Sequence, residues 1–185
     1  MIENTIHDFV KTACQKQTNV LTDSFFKEHI ALVVSYSKKL CDILNADKEI
    51  VSLSAYLHDI SAVLDFKTLA THNLNSAEIA KELLSQNNYP KNKIEKISLC
   101  IVNHSSPVGL NDGTTEEICL SNADAISQIV NPGYWLYFAF KIRNLNYNDG
   151  KNWYLSRIDD NWSKLIDPAK KLIEPDYWRI KEAIR

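Results

Sequence analysis

Apolar residues recur at helical spacing along almost the whole chain, with polar residues filling the positions between them. The run from Ile50 to Leu64 is the densest of these stretches and contains neither glycine nor proline. The 185 residues include only four glycines and five prolines, which favours helices over a turn-rich β fold. The pattern therefore predicts an all-α protein, a single domain built as a bundle of about eight helices.

Periodicity and cap residues together give the expected helix boundaries. The second helix has Thr22 or Asp23 as its candidate N-cap, and the third has Asp47. Thr114 or Thr115, with Glu117 nearby, suits the start of the sixth helix. The predicted helices are 3–17, 22–45, 48–63, 76–87, 91–104, 115–130, an aromatic helix beginning at Tyr134, 151–166 and 169–184. Loops are expected at 65–72 and 107–114, and turns at 131–133 and 146–150.

Histidines and aspartates occupy or adjoin positions where the pattern predicts burial. His29 shares a face with phenylalanines and valine, the doublet His58-Asp59 lies within the densest apolar run, and Asp124 stands between two alanines. A buried imidazole or carboxylate is costly unless it is paired or binds a metal. Each residue alone is compatible with a hydrogen-bonded core position, but several such residues on different helices favour a shared ion. The candidate ligands are His29, His58, Asp59, His72, His104 and Asp124.

Composition excludes several other classes of function. A net charge of −2 gives no strong field toward polymeric nucleic acid or an anionic membrane. No apolar run approaches the roughly 20 residues that span a bilayer, and no secretory signal opens the chain. The four cysteines form no C-x-x-C pair, which argues against a thiolate zinc site and suits a reducing compartment. A cytoplasmic location is therefore expected, and the sequence carries no signal for an oligomeric state.

Imidazole nitrogen combined with carboxylate oxygen suits Mn²⁺, Fe²⁺, Co²⁺, Ni²⁺ or Zn²⁺. Such an ion polarises a phosphoryl oxygen and lowers the pKa of bound water toward neutrality. Glycine-rich phosphate loops and the G-x-S-x-G motif are absent from the sequence, so P-loop and serine-nucleophile chemistries lack support. Metal ligation is also compatible with a protein that binds an ion and performs no turnover.

The order of these residues resembles the HD-domain superfamily of metal-dependent phosphohydrolases. The resemblance covers roughly His29 to Val130, with an HD core of about 22–130 followed by C-terminal helices at 131–185. Small stand-alone HD hydrolases look most similar, because the length and the ending "H-S … A-D-A" agree. The resemblance implies that one ion is bound by four residues: His29, His58, Asp59 and Asp124. It further implies that His72 and His104 bind a second ion with Asp59 as the bridge, or contact phosphate.

Three departures from the superfamily pattern are visible. The doublet is followed by Ile60-Ser61 where many members have a glycine second, so the turn after it is expected to differ. Asn122 stands where close relatives often have an aspartate, which leaves the role of that carboxylate unfilled. No Gly-Tyr-Pro triplet is present, which argues against the cyclic-dinucleotide phosphodiesterase branch.

The resemblance implies hydrolysis of a phosphate ester or anhydride of a small phosphorylated metabolite, with a nucleotide as the family-level expectation. One or two divalent ions, Mg²⁺ included, would serve as cofactor, with Asp59, His72 and His104 as catalytic residues. Two alternatives remain, a di-iron oxygenase of the same superfamily and a non-catalytic, metal-stabilised binding module. Three basic residues are candidate phosphate contacts: Lys67, Lys141 and Arg157.

Overall fold

A computed structural model of the protein describes residues 2–106 and 113–184, and every regular element in these ranges is helical. The predicted all-α class is therefore confirmed. The α-helices are α1 (Ile2–Cys14), α2 (Ala31–Leu44), α3 (Lys48–Leu57), α4 (Ile60–Leu64), α5 (His72–Gln86), α6 (Lys91–Asn103), α7 (Thr115–Val130), α8 (Pro132–Tyr137), α9 (Tyr147–Lys164) and α10 (Asp167–Ile184). Two π-helical segments, Phe26–Ile30 and Phe138–Ile142, and a 3-10 helix, Phe66–Thr71, lie between them.

Helix α7 is the central element of the bundle. It packs against α2, α3, α6, α9 and α10, and most of its residues are buried. The fully buried Tyr154 fixes α9 to the end of α7, because its hydroxyl donates to the carbonyl oxygens of Gln128 and Ile129 at 3.1 and 2.9 Å. A side chain on the inner face of α7 is therefore held at the middle of the protein. No helix within the described ranges combines the length and apolarity required to cross a membrane.

Two of the predicted helix caps are confirmed. The Asp47 carboxylate accepts hydrogen bonds from the backbone N–H groups of Glu49 and Ile50 at 3.0 and 3.3 Å. Thr114 and Glu117 form a reciprocal capping box at the start of α7, with distances of 3.3 and 2.9 Å. These side chains satisfy N–H groups that have no partner within the helix, which is why the sequence signal located both helix starts correctly.

The boundaries of the first two helices differ from the prediction. The first helix ends at Cys14, three residues early. The second does not begin with a side-chain cap from Thr22, whose φ is 69° and whose hydroxyl is hydrogen bonded to Ser24 at 2.7 Å. Helical backbone begins at Ser24 and passes at Phe26 into the π-helical segment that carries His29. Backbone hydrogen bonding of this type leaves no signal in residue periodicity.

The largest corrections lie around the doublet and the C-terminal turns. The predicted helix 48–63 is interrupted after Leu57, because the backbone at Asp59 leaves the helical region with φ −112° and ψ 11°. The predicted loop 65–72 is mostly a 3-10 helix, and His72 begins α5 rather than ending a loop. The predicted turn at 146–150 is the first turn of α9, capped by Asn146. Most of the predicted loop 107–114 lies outside the described residues.

Candidate metal centre

Five separate elements bring the six candidate ligands to one place. The π-helical turn holds His29 between Phe25, stacked at 4.8 Å, and Trp135, edge-on at 5.4 Å. The break between α3 and α4 presents the doublet, α5 begins with His72, α6 is followed at once by His104, and α7 carries Asp124. The side chains are buried or largely buried, so water does not compensate for their polarity. The six residues are His29, His58, Asp59, His72, His104 and Asp124.

Four ligand atoms form the first set, from His29, His58, Asp59 and Asp124. The His29 Nε2 lies 3.2 Å from Asp59 Oδ2 and 3.4 Å from Asp124 Oδ1. The corresponding distances from His58 Nε2 are 3.3 and 3.8 Å, and the two Nε2 atoms are 3.1 Å apart. Ligands bound at about 2.1 Å to one ion are themselves about 3 Å apart. The His29, His58 and Asp59 atoms all lie within 4.8 Å of one another, a spacing that suits one divalent cation, and Asp124 Oδ1 lies beside the two imidazoles.

Three residues form the second set, and Asp59 belongs to both. Its Oδ1 lies 3.3 Å from the Nε2 of His72 and 3.8 Å from that of His104. The two imidazole Nε2 atoms are 3.1 Å apart. Because Oδ2 faces the first set and Oδ1 the second, the Asp59 carboxylate is placed to bridge two ions. The structure thus brings together all six predicted residues, and their roles as ligands stay predictions.

Hydrogen bonds fix the tautomer of three of the imidazoles. His58, His72 and His104 each donate Nδ1–H to the backbone carbonyl three residues before, at 2.8, 2.7 and 2.6 Å. Each neutral ring therefore turns the Nε2 lone pair toward the centre, the arrangement typical of metal-binding histidines. Two unprotonated Nε2 atoms 3.1 Å apart repel each other unless a proton or a metal ion stands between them. This donor set fits a divalent metal better than it fits a hydrogen-bonded core.

The fourth imidazole is oriented by a side chain. The Ser127 hydroxyl donates to the Asp124 carbonyl oxygen at 2.8 Å, so its oxygen accepts Nδ1–H of His29 at 2.9 Å. His29 consequently has the same tautomer as the others. Ser127 lies on α7 one turn from Asp124, and it therefore couples two candidate ligands of the first set. Nothing in the sequence pattern separated this serine from other buried helix serines.

A family model described as "HD domain" matches residues 26–129, more than half of the chain. The chain belongs to the HD-domain family. A relative from Clostridium beijerinckii named only "Uncharacterized protein" is 38% identical over 61 residues, or 33% of this chain, and the match spans only 39% of the relative's length. The solved structure titled "The crystal structure of Bacillus subtilis YpgQ" has a TM-score of 0.68 at 20% identity, covering 100% of this chain and 95% of that one, and shows the same fold.

The carboxylates of this HD domain are held in the ionised state. Burial alone would raise the pKa of Asp59, but the adjacent His58 and the hydrogen-bonding His29 outweigh it and hold that pKa well below its ordinary value. The pKa of Asp124 is lowered in the same way, since His29 and His58 again outweigh burial. Two charged carboxylates therefore face the histidine nitrogens, as ligation of a cation requires.

His58 and His104 differ in basicity. For His58, burial opposes protonation, but the charges of Asp59 and Asp124 overcome it and raise its pKa to about 9. For His104, burial and the neighbouring His58 lower the pKa to about 4. Without a metal, a proton on His58 Nε2 stands where an ion of the first set would bind. The His104 Nε2 is free of a proton at neutral pH.

A second layer of amides supports Asp124. The buried Gln128 donates its Nε2–H₂ to both carboxylate oxygens of Asp124 at 2.9 and 3.0 Å, and Asn161 of α9 donates to Gln128 Oε1 at 3.1 Å. Gln128 lies one turn from Asp124 on α7, so the amide reaches the carboxylate without distorting the helix. The C-terminal helix α9 therefore contributes to the orientation of a candidate ligand through Gln128.

Asn122, one of the departures from the superfamily pattern, forms two hydrogen bonds through its side-chain amide. Its Nδ2–H₂ donates to the Ile118 carbonyl oxygen at 2.9 Å, and its Oδ1 accepts the Ile166 N–H at 2.9 Å. An ionised aspartate cannot donate to the Ile118 carbonyl, so the amide suits this position. Asn122 thereby joins α7 to the segment before α10.

A cavity of about 550 Å³ adjoins the ligands and is lined by Asp59, His72, His104 and Asp124. Its aromatic wall consists of Phe25, Phe66, Trp135, Phe138 and Trp153, and its basic residues are Arg143, Arg157 and Lys164. Of the predicted phosphate contacts, Arg157 lines the cavity, whereas Lys67 and Lys141 are exposed and lie outside its lining. Arg143, which sequence reasoning missed, follows the aromatic segment in the chain.

Proposed function

We propose that this HD domain is a metal-dependent hydrolase that cleaves a phosphate ester or anhydride of a small metabolite, with a nucleotide as the expected class. One observation carries the proposal: two sets of candidate ligands share the Asp59 carboxylate and open onto a cavity lined by arginines. Carboxylates alone would repel an anionic substrate, so the basic residues beside them match a phosphate.

Each ligand has a distinct task in this proposal. His29, His58, Asp59 and Asp124 would hold the first ion, and His72 and His104 would hold a second with Asp59 or contact phosphate oxygens directly. A bound divalent ion polarises the phosphoryl group and lowers the pKa of water, which supplies the nucleophile at neutral pH. The hydrogen bonds of the histidine Nδ1 atoms point every Nε2 toward the centre, so the rings need no reorientation before binding, and the ion has only to displace the proton of His58.

The cavity would orient the organic part of the substrate. The aromatic residues Trp135, Phe138 and Trp153 form a continuous wall, with ring centroids 5.4 and 5.8 Å apart along it. Such a wall takes a flat or apolar group and excludes water from the reacting phosphate. His72 is half-buried at the boundary between the ligands and the cavity, where a phosphate oxygen would first meet the protein.

The test begins with metal analysis of protein purified without chelator, followed by a phosphatase panel with Mn²⁺, Mg²⁺, Co²⁺ and Ni²⁺. We expect bound metal, turnover of at least one phosphorylated compound, and loss of both in Asp59→Ala. Asp176→Ala, on α10 and paired with Arg179, serves as the control and should change neither. Retained metal with full turnover in Asp59→Ala would refute the assignment.

The same experiment separates the two alternatives. A di-iron oxygenase also suits two ligand sets bridged by a carboxylate, and it would yield a coloured, iron-loaded protein that consumes O₂ with a small organic substrate. A metal-stabilised binding module would keep its metal and hydrolyse no compound in a broad phosphate panel. Its melting temperature would fall strongly on chelation. The arginines in the cavity favour phosphate over either alternative.

A further inference from the structure

Two arginines of the cavity are held by tryptophan rings. The Arg157 guanidinium carbon lies 5.2 Å from the Trp135 ring centroid and 5.4 Å from that of Trp153, and the Arg143 carbon lies 5.1 Å from Trp153. Trp153 and Arg157 are one turn apart on α9, so they present one face to the cavity. Stacking on an indole orients a guanidinium and leaves its edge N–H groups free to donate.

Neither guanidinium group forms an ion pair with a residue of the described ranges. Among the residues that the structure describes, Arg179 is the one arginine in an ion pair. The buried Nε–H of Arg157 and the buried Nε1–H of Trp135 also lack a hydrogen-bond partner within the described ranges. Unsatisfied buried donors are rare because each costs on the order of 1–3 kcal/mol. Two such donors on one cavity wall point to a ligand that supplies acceptor oxygens.

The charges of the cavity lead to the same ligand. Burial lowers the pKa of Arg157, and the nearby Arg143 lowers it further. Asp124, Asp59 and Asp160 act in the opposite direction. One divalent ion would balance Asp59 and Asp124, which leaves the partly buried Arg157 and the exposed Arg143 with only Asp160 as a nearby acid among the described residues. A single phosphate at the ligands leaves those groups unpaired, whereas a second anionic group on the same molecule neutralises them.

We infer that Arg143, Arg157 and the Trp135 indole N–H form an anion subsite for a second phosphate of the substrate, apart from the metal ligands. The inference rests on the proposed function for the position of the reacting phosphate. It assigns the substrate class as compounds with at least two phosphate groups. All three residues lie beyond residue 129, where the match to the HD-domain model ends, so the subsite belongs to the C-terminal part of this chain.

The test compares binding of inorganic phosphate and inorganic pyrophosphate by calorimetry, with Mg²⁺ in excess over protein and anion. We expect the wild-type protein to bind pyrophosphate at least about tenfold more tightly than phosphate. Arg143→Gln and Arg157→Gln should each weaken pyrophosphate binding about 10- to 100-fold, the range typical of a hydrogen bond to a charged group. Phosphate affinity should change by less than about threefold, because the metal ligands are intact.

Matched variants separate recognition from packing. Arg179→Gln, an exposed arginine on α10, should leave both affinities unchanged. Trp135→Phe removes the indole N–H and keeps an aromatic ring. It should weaken the binding of pyrophosphate more than that of phosphate. Arg157→Lys keeps the charge but loses the planar fork, so its affinity should fall between wild type and Arg157→Gln. If Arg157→Gln does not fold, Arg143→Gln and Trp135→Phe carry the test.

The outcomes distinguish the subsite from the hydrolase proposal. If the arginine variants lose affinity for pyrophosphate but not for phosphate, and no assay shows turnover, the subsite is supported and the hydrolase proposal is overturned. Turnover that is indifferent to both arginines overturns the subsite alone. Equal wild-type affinity for the two anions, or equal loss of both in Arg143→Gln and Arg157→Gln, likewise overturns the subsite.

Discussion

Ser127 provides the sharpest test of how the metal centre is preorganised. The serine and His29 are both fully buried, and the hydroxyl is held in place by the Asp124 carbonyl. In Ser127→Ala the Nδ1–H of His29 loses its acceptor. The neutral ring is then free to carry its proton on Nε2, the atom that faces the other ligands, and only the opposite tautomer binds metal.

The expected loss of metal affinity in Ser127→Ala is about 10- to 100-fold, as for other partners of metal-bound histidines. This corresponds to about 1.4–2.7 kcal/mol of binding free energy. The orphaned N–H should also destabilise the metal-free protein by about 1–3 kcal/mol. A competition titration against a fluorescent chelator measures the first quantity, and urea unfolding in EDTA measures the second.

Ser37→Ala is the matched control. Ser37 is also a fully buried helix serine, but its hydroxyl has no hydrogen-bond partner among the described residues. Its removal should leave metal affinity at the wild-type level and leave stability unchanged or slightly increased. The reasoning fails if Ser127→Ala binds metal as tightly as wild type, or if Ser37→Ala loses affinity to the same extent.

Four further predictions concern the support of Asp124, the protonation of His58 and the N-cap of α7. Gln128→Leu removes the amide that donates to both Asp124 oxygens, and metal affinity measured by the same titration should fall about tenfold. Metal affinity should rise about tenfold per pH unit from 6.5 to 9, because the ion displaces a proton from His58, whose pKa is raised to about 9. That proton stabilises the metal-free fold below pH 6.5, and its contribution is lost toward pH 9, so the melting temperature in EDTA should fall across this window. Thr114→Ala breaks the capping box with Glu117 and should cost about 1 kcal/mol in urea unfolding without changing metal affinity.

Helix existence and several helix starts were predictable from sequence because they depend on local patterns. The caps at Asp47 and Thr114 use side chains within three residues of the N–H groups they satisfy. Gly150 shows where such local reasoning fails. The predicted turn 146–150 includes this glycine, but it lies in α9, where a methyl group at this position would overlap the Phe140 ring. The glycine allows α9 to approach the π-helical segment that contains Phe140, a long-range contact that a local sequence pattern does not predict.

The six candidate ligands were predictable because they are of metal-binding type and lie near apolar runs. Their supporting residues were not, since Ser127 and Gln128 resemble any other polar residue on a buried helix. Of the three residues in the proposed anion subsite, only Arg157 is among the phosphate contacts predicted from sequence. The fold is needed to show that Arg157 shares Trp153 with Arg143, and that Lys141 is not part of the cavity lining.

The interruption at the doublet explains how two adjacent residues serve one centre. In a continuous helix, neighbouring side chains point about 100° apart. At Asp59 the backbone leaves the helix, and its Oδ2 comes within 3.3 Å of His58 Nε2. The new helix α4 begins at once, and the buried Ser61 N–H in its first turn donates to the Ser76 hydroxyl at 3.1 Å. The Ser61 hydroxyl in turn donates to the His72 carbonyl oxygen at 3.1 Å. A glycine at position 61 would lack that hydroxyl, so the serine that departs from the superfamily pattern links the doublet directly to the first residue of α5.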